Sequence, residues 1–417
     1  MCSVSVALLL LQIAAILALC RLLHGILRRM SQPPVIGEII AGLLLGPSLL
    51  GWLAPSWYGQ LFPASSLPAL NGLSQIGLVL FMFLVGLRLD LSEVSAFRHV
   101  AGLAGLFSIV IPFSAGLALA GPLHVFAPQS PMLPFSLFLA VSMSITAFPV
   151  LARILRDERL EETRLGHIAI TCAALNDVIA WTLLAWITAL TRSTDGNVSV
   201  FGTIATVGAY VLIMAFAVRP VLRLLTRRFQ VVSELQVMLV IAFLSSWATE
   251  SIGIHAFFGA FFAGVIWPRG TEDGQDMNHP TRDDVSSKLE AITMTVLIPL
   301  FFAYTGIRTN LGLIAGAGAW PYAAVIIAAA AVGKIGGAFL GGTIMRFGVR
   351  DSLALGALLN TRGLVELIAL NVGLDLGILS PALFSMMVLM TLTTTLMTVP
   401  LLRCIRPGQT VGGNNRE

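Results

Sequence analysis

The stretch Ser142–Val150, SMSITAFPV, decides the fold because it breaks a membrane-length helix near its middle. The surrounding apolar run, residues 132–155, is long enough to cross a bilayer, which takes roughly 20 mostly apolar residues. Pro149 removes one backbone hydrogen bond from such a helix and leaves a carbonyl group without its partner. Irregular backbone at membrane depth survives only beside protein or a water-filled cavity, so the break indicates either a simple kink or a built site.

A second interruption, about 220 residues later, matches the first. The stretch Asn360–Glu366, NTRGLVE, places a polar triplet and Gly363 inside another apolar run. Arg362 and Glu366 have the i,i+4 spacing that puts two side chains on one helix face. Because both runs break at matching positions, we expect two broken helices that cross, with Arg362 and Glu366 neutralising the ends of the half-helices.

Outward from these breaks, the whole chain has the composition of a membrane protein. Apolar residues make up 57% of its 417 residues and charged residues only 11%, against about 25% in soluble domains. Together with four scattered cysteines, this excludes a soluble enzyme-sized fold, a nucleic-acid-binding domain and a disulfide scaffold. Thirteen segments have the length and apolarity of a membrane helix. They are approximately residues 4–23, 34–53, 68–88, 99–121, 132–155, 163–190, 198–224, 232–250, 253–268, 286–306, 319–345, 351–372 and 381–402.

The basic residues alternate between successive loops in the way that thirteen spans require. One alternate set of loops holds 21 of the 25 Lys and Arg residues, and the other set holds only Arg192 and Arg308. The remaining two, Lys334 and Arg362, lie inside apolar spans. Since cytoplasmic loops carry the excess of Lys and Arg, we expect the N-terminus outside and the C-terminus in the cytoplasm.

The chain also carries an internal repeat. Leu78–Leu91 and Ile298–Leu311 share Gly, Arg, a polar residue and Leu at an offset of 220, and Gly37–Gly42 matches Gly259–Gly264 at an offset of 222. The offset corresponds to seven spans, an odd number, so the second copy is inverted, as is typical of secondary transporters. The sequence thus predicts an all-α polytopic membrane protein of about 13 transmembrane helices, with two inverted six-helix repeats and a crossed pair of broken helices.

Four ionisable residues lie well inside the predicted spans. They are Asp177, Lys334, Arg362 and Glu366. Facing lipid, they would cost about 10–14 kcal/mol together, so they must face each other or a water-filled cavity. One interpretation is a purely structural set of salt bridges, and the other is a site for ions.

Asp177 is the strongest candidate for an ion site. A carboxyl group at that depth can hold a proton or a small cation, but not both at once, and this competition is enough to make an exchanger. Na+ and K+ need oxygen ligands, which Asp177, Asn176 and the hydroxyl of Thr146 can supply. Lys334 either pairs with Asp177 and handles protons or only holds the fold, and the sequence leaves both open.

These motifs together resemble the monovalent cation:proton antiporter-2 family, including plant cation/proton exchangers and their bacterial relatives. The resemblance covers residues 30–405 and rests on four stretches: Gly37–Gly42 followed by Gly46–Ser48, Ser144–Arg153, Leu175–Asp177 and Asn360–Leu367. It implies that Asp177 carries both cation and proton and that Lys334 is the basic residue of the core. Electrogenic members have two adjacent Asp residues, whereas Asn176 stands first here, which suggests electroneutral exchange.

The resemblance also implies a domain organisation and an elevator-like movement of a core domain. We expect dimerisation-domain helices in residues 1–97 and 231–318, core helices in 98–190 and 319–405, a linker helix in 191–230, and a short cytoplasmic tail in 406–417 without the cytoplasmic domain that larger relatives append.

The functional prediction is a transporter, not an enzyme, that exchanges Na+ or K+ for H+ and needs no cofactor or resident metal. We expect a homodimer in a lipid bilayer, the bacterial cytoplasmic membrane, with no nucleic-acid partner. A cation channel on the same scaffold and a proton-coupled exporter of a small organic cation or ionophore are the alternatives.

Overall fold

The computed structural model describes residues 5–30, 32–88, 98–194, 200–228, 234–252, 255–268, 282–316 and 318–406. Within these ranges all regular elements are helical and there is no strand. The prediction of an all-α protein is therefore confirmed.

Twenty α-helices form the described part of the chain, several of them continued by short 3-10 or π-helical turns. In chain order they are α1 Val6–Arg29, α2 Pro34–Leu45, α3 Leu50–Leu53, α4 Pro55–Leu61, α5 Leu67–Arg88, α6 Arg98–Leu123, α7 Met132–Ser144, α8 Phe148–Asp157, α9 Arg164–Thr194, α10 Val200–Ile213, α11 Arg219–Arg228, α12 Glu234–Ile252, α13 Ala256–Ile266, α14 Arg282–Ile292, α15 Ile298–Arg308, α16 Leu311–Gly316, α17 Trp320–Ile344, α18 Val349–Leu359, α19 Leu364–Asp375 and α20 Pro381–Ile405.

Ten helical segments of the described residues are long and apolar enough to cross a membrane. The pair α18 and α19 adds an eleventh if it is counted as one span bent by 42°. Two shorter apolar segments, Gly208–Leu222 and Ala256–Ile266, lie where the seventh and ninth predicted spans were expected. A multi-pass membrane protein is thus confirmed, while the total of thirteen spans stays a prediction.

The chain divides into two units. The first comprises the described parts of Ser65–Asp90 and Ala185–Phe301, and the second those of Ser5–Ala64, Leu91–Leu184 and Phe302–Glu417. The second unit holds both interrupted helices, α7–α8 and α18–α19, together with the middle of α9.

Inside the first unit, glycines let α5 and α13 approach backbone to backbone. A Cβ on Gly86 would overlap the carbonyl of Phe261. A Cβ on Gly264 would overlap the carbonyl of Phe83 and lie 2.9 Å from the carbonyl carbon of Gly86. Small residues at such crossings let membrane helices pack closely.

Inside the second unit, α2 and α15 meet in the same way. A Cβ on Gly42 would overlap the carbonyl of Ala303, and one on Gly306 would lie 2.7 Å from the Cα of Gly42. The two pairs of glycines are related by the repeat, since Gly42 and Gly264 are 222 residues apart and Gly86 and Gly306 are 220 apart. Residues matched by the sequence repeat therefore make matched contacts.

Candidate functional site

The first break separates α7 from α8. Ile145 and Ala147 are extended, with φ/ψ of −66°/141° and −88°/97°. Pro149 is the second residue of α8, where the N–H that it lacks has no intrahelical partner to lose. The helix is therefore interrupted just before the proline, and Pro149 begins the second half-helix.

The second break separates α18 from α19 and consists of Asn360–Gly363. Gly363 has φ 148° and ψ −116°, a backbone conformation that is open in practice only to glycine. A Cβ there would also lie 3.0 Å from Cγ2 of Val150, in α8. Glycine is thus required at position 363 for two reasons: the backbone conformation disfavours other residues, and Val150 leaves little room for a Cβ atom.

The two breaks contact each other directly. The N–H of Ala147 donates to the carbonyl of Thr361 at 3.0 Å, and the hydroxyl of Thr146 donates to the carbonyl of Leu359 at 3.0 Å. Each interruption therefore satisfies backbone groups of the other, as groups at membrane depth require. The predicted crossing of two broken helices is confirmed.

Arg362 and Glu366 lie at the carboxyl end of α7. Nη1 of Arg362 donates to the carbonyl of Ser142 at 2.9 Å, and Nη2 donates to that of Met143 at 2.5 Å. Nη1 also pairs with Oε1 of Glu366 at 3.2 Å, and both side chains are fully buried. The guanidinium group thus faces the negative end of one half-helix, and Glu366 lies in the first turn of another, α19.

Lys334 approaches the same helix end from α17. Its side chain is fully buried, and Nζ donates to the carbonyl of Ser144, the last residue of α7. Within the described ranges Lys334 forms no ion pair with Asp177, although the two charges lie close enough to interact electrostatically. Two buried basic side chains, those of Arg362 and Lys334, therefore face the carbonyls that end α7.

Asp177 lies in the middle of α9 and is only 8% exposed. Its Oδ1 atom is buried and accepts no hydrogen bond from any residue that the structure describes, while the backbone N–H of Phe148, the first residue of α8, faces the carboxyl group. A buried carboxylate oxygen without a donor is unusual, because buried polar groups are normally paired. This oxygen is free to take a proton or a cation.

Asn176 precedes Asp177 on α9, and its side chain contacts Thr146 in the first break. Nδ2 of Asn176 donates to the hydroxyl of Thr146 at 3.1 Å and lies 3.3 Å from the hydroxyl of Ser108, in α6. Oδ1 of Asn176 is buried and, like Oδ1 of Asp177, has no hydrogen-bond partner in the described ranges. The structure therefore brings the three predicted site residues together at the crossing.

A row of threonines on α20 also holds the crossing and was missed in the sequence. The hydroxyl of Thr395 accepts the N–H of Arg362 at 3.1 Å, and the carbonyl of Thr394 accepts Nδ2 of Asn360 at 3.1 Å. Thr398 contacts Thr361, with 3.4 Å between the hydroxyl oxygens. The signal was present in the polar positions Thr391, Thr394, Thr395 and Thr398, whose i, i+3, i+4, i+7 spacing marks one helix face.

Two interrupted membrane helices that cross beside a buried carboxyl are typical of secondary transporters. The family model for "Sodium/hydrogen exchanger, transmembrane" matches residues 14–404. The chain belongs to this family, which confirms the resemblance seen in the sequence.

Individual relatives are similar over nearly the whole chain. The Na(+)/H(+) antiporter NhaS4 of Synechocystis is 41% identical over 96% of this chain and 97% of its own length. Cation/H(+) antiporter 17 of Arabidopsis thaliana is 40% identical over 97% of this chain, which spans only 49% of that plant protein. Among solved structures, the sodium proton antiporter MjNhaP1 of Methanocaldococcus jannaschii at pH 8 matches with a TM-score of 0.61 and 12% identity, covering 95% of this chain and 96% of that one. This last match shows a shared fold.

Proposed function

We propose that this chain is a secondary antiporter that exchanges a monovalent cation, Na+ or K+, for protons, and that Asp177 is the group that both ions occupy in turn. The observation that carries the proposal is the buried, unpartnered Oδ1 of Asp177 at the crossing of two broken helices. A charge at this depth is costly, so a carboxylate there must bind either a proton or a cation.

The neighbouring oxygens favour a small hard cation as the second occupant. Hard cations bind oxygen ligands, and Oδ1 of Asn176 is buried without a hydrogen-bond donor. The hydroxyl of Thr146 lies within hydrogen-bond distance of the same amide. The relatives named as a Na(+)/H(+) antiporter and a cation/H(+) antiporter are similar over 96% and 97% of this chain, which supports the same exchange here.

The exchange proceeds by an elevator-type movement of a core formed by residues 98–190 and 319–405. All the charged and polar groups of the candidate site lie in these two stretches. They are Thr146, Asn176, Asp177, Lys334, Arg362 and Glu366. Residues 1–97 and 231–318 supply the static helices through which two copies form a homodimer, and 191–230 links the halves. The N-terminus lies on the external side of the bacterial cytoplasmic membrane, and the C-terminus lies on the cytoplasmic side.

Exchange is electroneutral because one carboxyl group alternates between one proton and one cation. Asn176 holds the position beside Asp177 with an uncharged amide. Nζ of Lys334 donates to the carbonyl of Ser144, and within the described ranges it forms no ion pair with Asp177.

The test is cation-driven proton movement in everted membrane vesicles, followed with a pH-sensitive dye for Li+, Na+, K+ and Rb+. Asp177→Asn keeps the shape of the side chain and removes its charge, so exchange of every cation should be lost. Asp157→Asn is the matched control, because Asp157 is half-exposed on α8 and pairs with Arg153 outside the site. Exchange that persists in Asp177→Asn would reject Asp177 as the carrier.

The same vesicles separate the antiporter from a channel. An antiporter moves protons out for the cations that it moves in, so an imposed cation gradient must change the internal pH. A channel moves the cation without protons. Cation uptake that is driven by membrane potential and accompanied by no proton movement through the protein would identify a conductive path.

A further inference from the structure

A separate cavity lies in the second unit, where the connection between α8 and α9, the connection between α17 and α18, and the end of α20 meet. Its volume is about 370 Å³, within the range of roughly 300–1,000 Å³ typical of small-molecule sites. We call it the arginine pocket. The lining residues that matter are Arg159, Thr163, Arg164, Phe347, Asp351 and Arg406.

The arginine pocket has an excess of positive charge. Arg406 pairs with Asp351, so this guanidinium group is neutralised. Arg159 and Arg164 form no ion pair in the part of the chain that the structure describes. Two guanidinium groups therefore line the cavity without a carboxylate partner, which attracts an anion.

Local structure holds these two arginines at the cavity. The guanidinium carbon of Arg164 lies 5.3 Å from the centre of the Phe347 ring, a cation–π contact that orients the group. Arg159 has a left-handed backbone, with φ 56°, just beyond the end of α8. Glycine is the usual residue at such a position, so Arg159 adopts a backbone conformation that residues with a side chain rarely take.

The chemistry of the lining favours phosphate over other anions. Planar guanidinium groups donate paired hydrogen bonds that match phosphate oxygens. Arg164 is also the first residue of α9, a helix of 31 residues whose positive end adds to the same potential. Thr163 shapes that end, since its hydroxyl accepts the N–H of Gly166 at 3.1 Å.

We infer that the arginine pocket binds a phosphate-bearing anion, at a site separate from Asp177. The loops that form it belong to the set in which the sequence concentrates basic residues. At the border of a membrane, phosphate comes either from the headgroup of an anionic lipid or from a soluble phosphate compound, and both present the same oxygens to the arginines.

The experiment measures the thermal unfolding of the purified full chain in detergent. One arm titrates inorganic pyrophosphate against chloride of equal ionic strength, and the other titrates phosphatidylglycerol against phosphatidylcholine in mixed micelles. The test variant is Arg159→Gln with Arg164→Gln. The charge-matched control is Arg21→Gln with Arg29→Gln, because both of these arginines are exposed on α1 and outside the pocket.

We expect wild type and the control to be stabilised by at least one phosphate probe. The test variant should need at least about tenfold more of that probe, since a hydrogen-bonded charge pair contributes about that factor in affinity. Stabilisation by pyrophosphate alone identifies the soluble source, and stabilisation by phosphatidylglycerol alone identifies the lipid. No stabilisation by either probe, or an equal response in the test variant, overturns the proposal.

A second variant keeps the test decisive if the double variant does not fold. Arg164→Lys keeps the charge but loses the planar fork and its stacking on Phe347. Its affinity for the active probe should fall severalfold while the response of the control stays unchanged. An unchanged affinity in Arg164→Lys would also overturn the proposal.

Discussion

Arg362 lies 220 residues after Ser142, and its Nη1 donates a hydrogen bond of 2.9 Å to the Ser142 carbonyl. This separation of 220 residues equals one of the offsets of the internal repeat. Arg362, in the second break, therefore binds the end of α7, the half-helix that leads into the first break. Nη2 of the same guanidinium donates to Met143, which leaves two carbonyls at the end of α7 satisfied by a single side chain. The crossing therefore depends strongly on this arginine.

Replacing Arg362 by alanine should destabilise the protein strongly. The change leaves the fully buried Glu366 without its charged partner, and breaking a buried ion pair in this way costs about 3–5 kcal/mol. Arg362→Ala combined with Glu366→Gln should unfold less easily than Arg362→Ala alone, because no uncompensated charge remains. Denaturant unfolding in mixed micelles measures both. Equal stability of the single and double variants would show that the carbonyl contacts, and not the ion pair, dominate.

Gly363→Ala should destabilise the second break. The residue has φ 148°, and a side chain there costs about 1–3 kcal/mol in backbone strain. The added Cβ also lies 3.0 Å from Val150, so Gly363→Ala with Val150→Ala should recover part of the loss but not the strain. Gly336→Ala, in the interior of α17, is the control, because a Cβ there meets no atom within 4 Å. Thermal unfolding of the four proteins tests this order.

Thr395→Val tests the threonine row. The substitution keeps the shape and removes the hydroxyl that accepts the Arg362 N–H, so a buried donor is left unsatisfied at a cost of about 1–3 kcal/mol. Thr343→Val is the matched control, since among the residues that the structure describes the hydroxyl of Thr343 bonds only to carbonyls of its own helix, Phe339 and Leu340. Similar unfolding of the two variants would mean that Thr395 contributes nothing specific to the break.

The sequence predicted those parts of the site that are costly in a membrane. The residues that stand out are Pro149, Gly363 and the buried charges. Each leaves a polar or charged group that must find a partner inside an apolar helix, and residues of this kind usually mark functional sites in membrane proteins. Arg362 and Glu366 are paired across one helical turn, a relationship that their spacing alone indicates. The exact position of the first break was harder to predict. Proline is tolerated in the first turn of a helix, so Pro149 lies at the start of α8 and the extended residues come before it.

Tertiary partners were not predictable in the same way. The hydroxyl of a threonine can donate to a carbonyl of its own helix, as that of Thr391 does to Met387. The sequence therefore does not distinguish such a threonine from one that bonds to another helix. The partner of Lys334 is a backbone carbonyl, and every residue has one. Only the packing of α17 against the end of α7 selects Ser144.

Asn176→Asp tests electroneutral exchange. In wild type the amide of Asn176 donates to Thr146. The proposed exchange uses one carboxyl group, that of Asp177, so its rate should not depend on membrane potential. The variant adds a second carboxyl group, so that each cycle moves an additional charge. One elementary charge crossing the membrane corresponds to about 2.3 kcal/mol per 100 mV, so the rate should change with potential by up to about 50-fold per 100 mV.

The measurement uses proteoliposomes with a fixed pH gradient and a potential clamped at several values. Asp157→Asn again serves as the control, since it changes a carboxyl group outside the site. A flat dependence in wild type and in the control, together with a steep one in Asn176→Asp, is the expected result. A steep dependence in wild type would show that a second charge already moves during exchange. Lys334 would then be the first group to examine, because its Nζ binds the carbonyl that ends α7, at the first break.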